Sequence, residues 1–258
     1  MTDTLSLLRR WVVGYFNGQD KAVARAICAP DYTLSIGDVM FAGRDDAWLP
    51  AVDVQMKAYP GMGMTIHQTL TGDGWAAIWF SEHGMTDGKT AAWSGVGIYR
   101  SNGSMLTGCV AQEDYMTRRR QLKSGVADQI DRPAVAPWDI SPEPRNEAAE
   151  LVVLEWVKRG WPRPEDAVRC DDDYITGDAL EFDVNATEVG ELLSSGDFVA
   201  FNVRQHGTYV GGLPAPASGP MAETLDVNGI VRVENGQVAD GRVIRDRMGL
   251  WARMRNVA

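Results

Sequence analysis

A histidine and an arginine stand two residues apart at the end of a strong strand pattern. In FVAFNVRQH, residues 198–206, alternation places Asn202, Arg204 and His206 on one face. Histidine exchanges protons near neutral pH, and a nearby guanidinium can hold a developing enolate or carboxylate. The pattern predicts an acid/base site at this strand end. The alternative is a solvent-facing polar edge on which His206 caps the turn.

The elements that would position these residues occur twice along the chain. CAPDY at 28–32 corresponds to CDDDY at 170–174, and TGDGWAAIWFSEHG at 71–84 corresponds to SGDFVAFNVRQHG at 195–207. The last strands also align, each around an Asn-Gly pair that favours a tight type I′ turn. We therefore predict two copies of one domain, 1–125 and 146–258, joined by a proline-rich linker over 126–145.

Each copy has the same order of predicted elements. Two helices, a short strand and a helix precede three longer antiparallel strands, and the first helix carries Leu5, Leu8, Val12 and Tyr15 on one apolar face. This order is typical of an α+β fold with the sheet curled around the helices. The sequence lacks the βαβ order and the glycine-rich loops of nucleotide-binding folds.

Residues 195–252 resemble the SnoaL-like polyketide cyclases, also called ester cyclase-like proteins, of the nuclear transport factor 2-like superfamily. The shared features are Arg204, the loop HGTYVGGLPAPASGP, the Asn-Gly hairpin, Asp246 and the tail RMGLWARM. The first half is a more distant relative that keeps Gly43-Arg44, His83-Gly84 and Asp114. Where the family usually has the histidine of a Gly-Thr-His step, this chain has Tyr209. A histidine that the family often has on its first strand is absent from both halves, where Leu34 and Thr176 lie near that place.

The resemblance implies two tandem cystatin-like cone folds, each a curled antiparallel sheet wrapped around helices. It makes the loop after His206 a rim segment, whose glycines permit positive φ and whose prolines stiffen it. It also implies that Asp246 is the acid/base group of a ring closure, since burial would raise its basicity. The alternative for Asp246 is a surface ion pair with Arg245 or Arg247.

These considerations define a predicted catalytic site in the second half, with counterparts at His83 and Asp114 in the first half. His206, Asp246 and Arg204 are the catalytic candidates and should face one cavity. The substrate-binding candidates are Tyr209, Asn202, Tyr174, Trp156, His83 and Asp114. We expect the larger pocket in residues 146–258, and a first half more filled by side chains such as Trp75 and Trp79.

The function predicted is a cofactor-independent, metal-free cyclase or isomerase acting on a carbonyl-containing cyclic or polyketide-like substrate. A non-catalytic ligand-binding or scaffold protein on the same fold is one alternative. The other is an epoxide hydrolase-like activity, which needs two carboxylates and an arginine around one water. The triplet Asp171-Asp172-Asp173 lacks the spacing of a calcium loop and is predicted to be a solvated turn.

Composition limits the partners. The net charge of −10 argues against nucleic-acid or anionic membrane surfaces, and no apolar run is long enough for a membrane span. Three widely spaced cysteines and an N-terminus unlike a signal peptide indicate a cytoplasmic protein. We expect the two halves to pack sheet against sheet as an intrachain pseudo-dimer, burying Val199, Phe201 and Val203, with a homodimer as a further option.

Overall fold

The computed structural model describes residues 3–159, 166–177, 179–214 and 219–257. They form two curved, mainly antiparallel sheets, of six strands and of five, with helices packed on each. The α+β class and the pair of tandem cones implied by the resemblance are confirmed. Part of the predicted rim loop, residues 215–218, lies outside the described residues.

The first sheet has the order β2-β1-β6-β5-β4-β3. Its strands are β1 (Cys28–Ile36), β2 (Val39–Ala42), β3 (Gly63–Gly72), β4 (Trp75–Thr86), β5 (Lys89–Ser101) and β6 (Leu106–Glu113). The helices around it are α1 (Thr4–Arg9), continued by π-helical turns over Arg10–Asn17, α2 (Lys21–Ile27), α3 (Leu49–Ala58) and α4 (Tyr115–Ser124). Asp3 caps α1 by accepting a hydrogen bond from the Ser6 N–H.

The second sheet has the corresponding order β7-β11-β10-β9-β8. Its strands are β7 (Arg169–Cys170), β8 (Glu181–Ser195), β9 (Phe198–Gly211), β10 (Met221–Glu234) and β11 (Gln237–Arg245). Its helices are α5 (Glu147–Lys158), α6 (Asp173–Thr176) and α7 (Arg247–Val257). The sequence pattern missed β3 and β8, so each half has four long strands rather than three.

The two Asn-Gly pairs form different turns. Asn235 and Gly236 have φ of 53° and 72°, and the β10–β11 hairpin closes directly around them as predicted. The turn at Asn102 is longer, because its side-chain Oδ1 accepts hydrogen bonds from the N–H groups of Ser104 and Met105. The prediction of a tight type I′ turn is wrong there, since an asparagine side chain stabilises a wider loop.

The two sheets pack face to face through an apolar layer. It consists of Leu70, Trp75, Ala77, Val96 and Ile98 from the first sheet and Ala200, Ile230 and Ile244 from the second. Buried Asn228 adds hydrogen bonds from Nδ2 to the carbonyl oxygens of Val96 and Val110, at 3.1 and 3.0 Å. In this layer the outer face of each sheet covers the outer face of the other.

The expectation about which face of β9 is covered in this way is wrong. Val199, Phe201 and Val203 point to the concave side, where they form a core with Val153 and Trp156 of α5. The opposite face, with Ala200, is the one that meets the first sheet. Strand alternation identifies which residues share a face but does not identify which face the helices cover.

The predicted solvated turn at Asp171–Asp173 is also wrong. Asp171 and Asp172 are buried, because Arg245 and Arg247 bind this segment. Arg247 Nη2 also lies 2.6 Å from Asp114 Oδ1 at the start of α4, so the ionic cluster joins the two halves. No helix in the described part of the chain is long and apolar enough to cross a membrane.

Candidate functional site

Arg204 and His206 lie on the outer face of the second sheet. Arg204 donates from Nε and Nη2 to the carboxylate of Asp226, at 2.9 and 3.0 Å, and from Nη2 to Asp38. His206 Nε2 is 3.0 Å from Glu188 Oε1, and its side chain is 38% exposed. None of five cavities in the described structure is lined by both His206 and Asp246. The convergence of these two residues on one cavity therefore stays a prediction.

The aromatic and amide candidates of the second half lie at separate places. Asn202 donates from Nδ2 to Asn228 Oδ1 at 2.7 Å on the outer face. Tyr209 is buried in the concave core, and its hydroxyl accepts a hydrogen bond from the Leu213 N–H. Trp156 packs edge-on against Phe201, and Tyr174 is half exposed between the guanidinium groups of Arg169 and Arg242.

The candidates of the first half are separated as well. His83 lies on the outer face of β4, where its Nε2 is 3.3 Å from Thr65 Oγ1, and partial burial lowers its pKa. Asp114 caps α4 by accepting from the Thr117 N–H and binds Arg247. Both residues are therefore engaged by protein groups.

A mostly apolar cavity of about 410 Å³ opens at the mouth of the first cone. Its walls come from β1, β2, α3 and α4 of the first half and from α7 of the second. The apolar lining includes Leu34, Ile36, Phe41, Trp48, Val52 and Met248, and the polar lining includes Gln55, Tyr115, Asp246 and Arg253. The volume is within the range of small-molecule sites, which is roughly 300–1,000 Å³.

Asp246 is one of two carboxyl groups in the wall of this cavity, and the other is Asp38. Asp246 Oδ1 accepts a hydrogen bond from the Gly249 N–H at 2.9 Å, which caps α7. Burial raises the pKa of Asp246, while that hydrogen bond and the charge of Arg253 oppose the rise. Gly37 packs against this carboxylate with φ of 55°, and any larger residue there would collide with it. Asp246 is thus held in place, with a pKa above its usual value.

The structure adds a pair of buried glutamates that the sequence reasoning did not select. Glu82 and Glu113 project from β4 and β6 into the first cone and hydrogen-bond to each other. Trp93 donates from Nε1 to Glu113 at 2.9 Å, and Gln55 donates from Nε2 to Glu82 at 3.1 Å. Burial, and then the neighbouring carboxylate, hold the pKa of Glu82 well above its usual range.

The glutamate pair lies one side chain away from the cavity, because Gln55 also lines the cavity wall. A sequence signal for the pair existed. Glu82 interrupts the apolar run WAAIWFSEHG, and the aligned position of the second half is Gln205. The alignment likewise puts Glu113 opposite Arg245. Only the first half therefore carries two carboxyl groups at these inward positions.

We expect Glu82→Gln to make the protein more stable than wild type at pH 8 but not at pH 4.5. With a raised pKa in the folded state, Glu82 keeps its proton as pH rises while the unfolded chain loses it. Wild-type stability therefore falls with rising pH, by up to about 1.4 kcal/mol per pH unit from this group. The stability advantage of the variant over wild type should grow with pH in urea unfolding, and the exposed Glu234→Gln should show no such trend. A pH-independent difference for Glu82→Gln would contradict the assignment.

A second cavity of about 750 Å³ lies at the mouth of the second cone. It is lined by Tyr174, Phe182, Gln205, Leu225 and Arg245, among others. Arg245 is fully buried against Asp171 and Asp173, so the polar groups here belong largely to the ionic cluster that joins the halves. Over the described residues, no three His, Cys, Asp or Glu side chains are grouped as metal ligands.

The known structures that are similar to this chain each match slightly less than half of it. No protein-family profile and no curated protein match the sequence. IdmH from Streptomyces antibioticus, assigned as a polyketide cyclase, is similar at 17% identity and a TM-score of 0.42, over 46% of this chain and 99% of its own. A protein from Shewanella denitrificans assigned as a SnoaL-like polyketide cyclase is 17% identical, with a TM-score of 0.41 over 46% of this chain and 95% of its own. An epoxide hydrolase of the LEH-like type from M. tuberculosis is 11% identical, with a TM-score of 0.41 over 47% of this chain and 90% of its own. In each case less than half of this chain covers at least 90% of the other protein.

Proposed function

We propose that the protein is a small-molecule acid/base enzyme whose reaction takes place in the 410 Å³ cavity, with Asp246 as the proton-transferring group. The observation that supports this most directly is a partly buried carboxyl with a raised pKa in the wall of a mostly apolar cavity. A carboxyl of that kind is a stronger base once ionised than one in water, and its acid form persists nearer to neutral pH.

The proposed substrate class is an apolar, carbonyl-containing cyclic or polyketide-like molecule. Ionised Asp246 would remove a proton from the carbon next to the carbonyl, and the C–H electrons would pass into the enolate. Return of that proton to another carbon completes an isomerisation. Alternatively, the enolate carbon bonds to a second carbonyl carbon, and Asp246 returns the proton to the resulting alkoxide, which completes a ring closure. Neither route consumes an oxidant or a cofactor.

The structural alternative for Asp246 is that it serves only as a helix cap. Asp114, at the aligned position of the first half, caps α4 in the same way. The two differ in their other partner, because Asp114 is bound by Arg247. Within the described residues, the Asp246 carboxylate has a hydrogen bond only from Gly249 and no arginine bound to it. That difference favours a further role for Asp246.

A hydrolytic reaction is the second candidate, and the glutamate pair favours it. Glu82 and Glu113 provide two carboxyl groups, and the guanidinium of Arg118 lies over the rings of Trp93 and Tyr115 beside them. Two carboxyls and an arginine are the groups expected for activating water on an epoxide. The two candidates differ in the residue on which they depend, Asp246 or Glu82.

A substitution that fills the cavity tests whether the proposed reaction takes place there. In D₂O, the wild type should accelerate deuterium exchange at the carbon next to the carbonyl of at least one member of a panel of mono- to tricyclic ketones, followed by NMR. Ala51→Phe places a ring in the cavity and should reduce that rate by about tenfold or more, since a displaced substrate loses its alignment with the base. Val54→Phe on the same helix points to solvent and is the matched control. Equal rates for both variants would contradict the proposal.

A further inference from the structure

Gln55, on α3, is a polar residue in the wall of the 410 Å³ cavity that the proposed reaction does not use. Its side chain is partly exposed, and its Nε2 donates to Glu82 Oε2 at 3.1 Å and lies 3.8 Å from the sulfur of Met62. Both interactions engage the nitrogen of the amide. Across the described residues, no protein group donates a hydrogen bond to Gln55 Oε1. The wall therefore carries an amide oxygen that is open to a ligand.

The buried glutamate pair determines how this amide is oriented. Burial, and then the neighbouring carboxylate, hold the pKa of Glu82 well above its usual range, so Glu82 keeps its proton near neutral pH. Glu113, which also accepts from Trp93 Nε1, is the acceptor of that proton's hydrogen bond. The Glu82 oxygen beside Gln55 is consequently an acceptor. It binds the N–H end of the amide and directs the oxygen end away from the pair.

Two donor side chains of the same wall are already bound by protein groups. The Arg253 guanidinium donates from Nε to Glu223, from Nη1 to Asp38 and from Nη2 to a backbone carbonyl. The Tyr115 hydroxyl is hydrogen-bonded to Glu113. These two side chains offer little to an acceptor on a ligand, whereas the amide oxygen described above is open to a donor on a ligand.

We propose that Gln55 is a specificity-determining residue that selects a substrate with a hydroxyl group, so the substrate class narrows to hydroxylated cyclic ketones. The hydroxyl donates to Gln55 Oε1, and the ketone lies towards Asp246, which lines the same cavity. A neutral hydroxyl suits this place better than an ammonium group, because a neutral amide in a mostly apolar wall does not compensate a charge. The inference rests on the proposed function, from which it takes the ketone and the role of Asp246.

Binding of 1-tetralone and of its ring-hydroxylated derivatives tests the role of Gln55 without any turnover. In calorimetric titration of the whole chain, at least one hydroxytetralone should bind about tenfold more tightly than 1-tetralone, as expected for one well-placed hydrogen bond. Gln55→Leu should remove this preference and change the affinity for 1-tetralone by less than about twofold. Lys57→Leu, an exposed position on the same helix, is the matched control and should keep the preference.

Two substitutions of Glu82 test whether the glutamate pair orients the amide. Glu82→Gln imitates the protonated glutamate, because its N–H can donate to Glu113 while its oxygen accepts from Gln55. It should therefore keep the preference for the hydroxytetralone. Glu82→Met removes the acceptor, so the Gln55 amide is free to turn, and the preference should fall although Gln55 is unchanged. Equal preferences in the two variants would contradict the orienting role.

The possible outcomes separate this inference from the proposed reaction. It is overturned if wild type binds no tetralone, if it does not prefer any hydroxytetralone, or if the preference survives Gln55→Leu. If circular dichroism shows that Gln55→Leu does not fold, the side-chain NH₂ signals of Gln55 in the wild-type NMR spectrum decide. They should shift with the hydroxytetralone and not with 1-tetralone. Failure of the proposed reaction is seen separately, as deuterium exchange that persists in Asp246→Asn, and it leaves the binding preference intact.

Discussion

Asp246→Asn should lower the rate of substrate deuterium exchange by about 10²–10⁴-fold, the usual range for losing a general acid/base. Asparagine has nearly the same shape but cannot accept the substrate proton. It also caps helices as well as aspartate does, so its Oδ1 should keep the hydrogen bond from the Gly249 N–H. We therefore expect the melting temperature to stay within a few degrees of wild type.

This test is informative because the exchange rate is expected to fall while the melting temperature stays nearly the same. Asp240→Asn removes an exposed carboxylate from β11, the strand that precedes Asp246, and should leave both quantities unchanged. If Asp246→Asn retained nearly full activity, Asp246 would be only a helix cap, and the binding-protein alternative would gain support. Loss of activity in Glu82→Gln but not in Asp246→Asn would instead favour the hydrolytic candidate.

Arg247→Met should reduce the free energy of unfolding by about 3–5 kcal/mol, as is usual when one partner of a buried ion pair is removed. Arg247 Nη2 lies 2.6 Å from both Asp114 and Asp172, and all three side chains are buried. Methionine fills part of the volume but leaves the buried Asp114 without a counter-charge, whereas Asp172 keeps its ion pair with Arg120 at 2.9 Å. Since Asp114 and Asp172 come from different halves, the loss should also weaken the contact between them.

Urea unfolding with a surface variant as reference measures this effect. Arg232 pairs with Glu234 on the exposed part of β10, so Arg232→Met should cost less than about 1 kcal/mol. Similar losses for the two arginines would contradict the assignment of Arg247 to a buried cluster.

Much of the architecture was accessible from the sequence because it depends on local pattern. The repeated motifs required two similar units, and the alternating runs around residues 75–83 and 198–206 required strands. The Asn235-Gly236 pair specified its own hairpin, since only a turn with positive φ at both residues joins such strands tightly. β8 was missed because its polar and apolar residues do not alternate regularly, and its register with β9 shifts three times.

The candidate site was harder to predict from the sequence, because the sequence pattern does not show which face of a strand other elements will cover. Both histidine-bearing faces, at His83 and His206, belong to the outer side of their sheets, where the halves meet. The inward neighbours are Glu82 and Gln205, one residue earlier in each strand. A shift of one residue moves a side chain to the opposite face, so the same strand pattern is compatible with either assignment.

Asp246 shows what the sequence determined and what the tertiary structure decided. Its position after the last strand, and before a helix that it can cap, follows from local sequence, as does its alignment with Asp114. Its surroundings do not follow from local sequence, because the cavity wall joins Asp246 to Leu34, Trp48 and Gln55, about two hundred residues earlier in the chain. Burial by these distant groups raises the pKa of Asp246. Only the packing of one half on the other brings those groups to it, and this is why the chemistry of Asp246 depends on the tertiary structure.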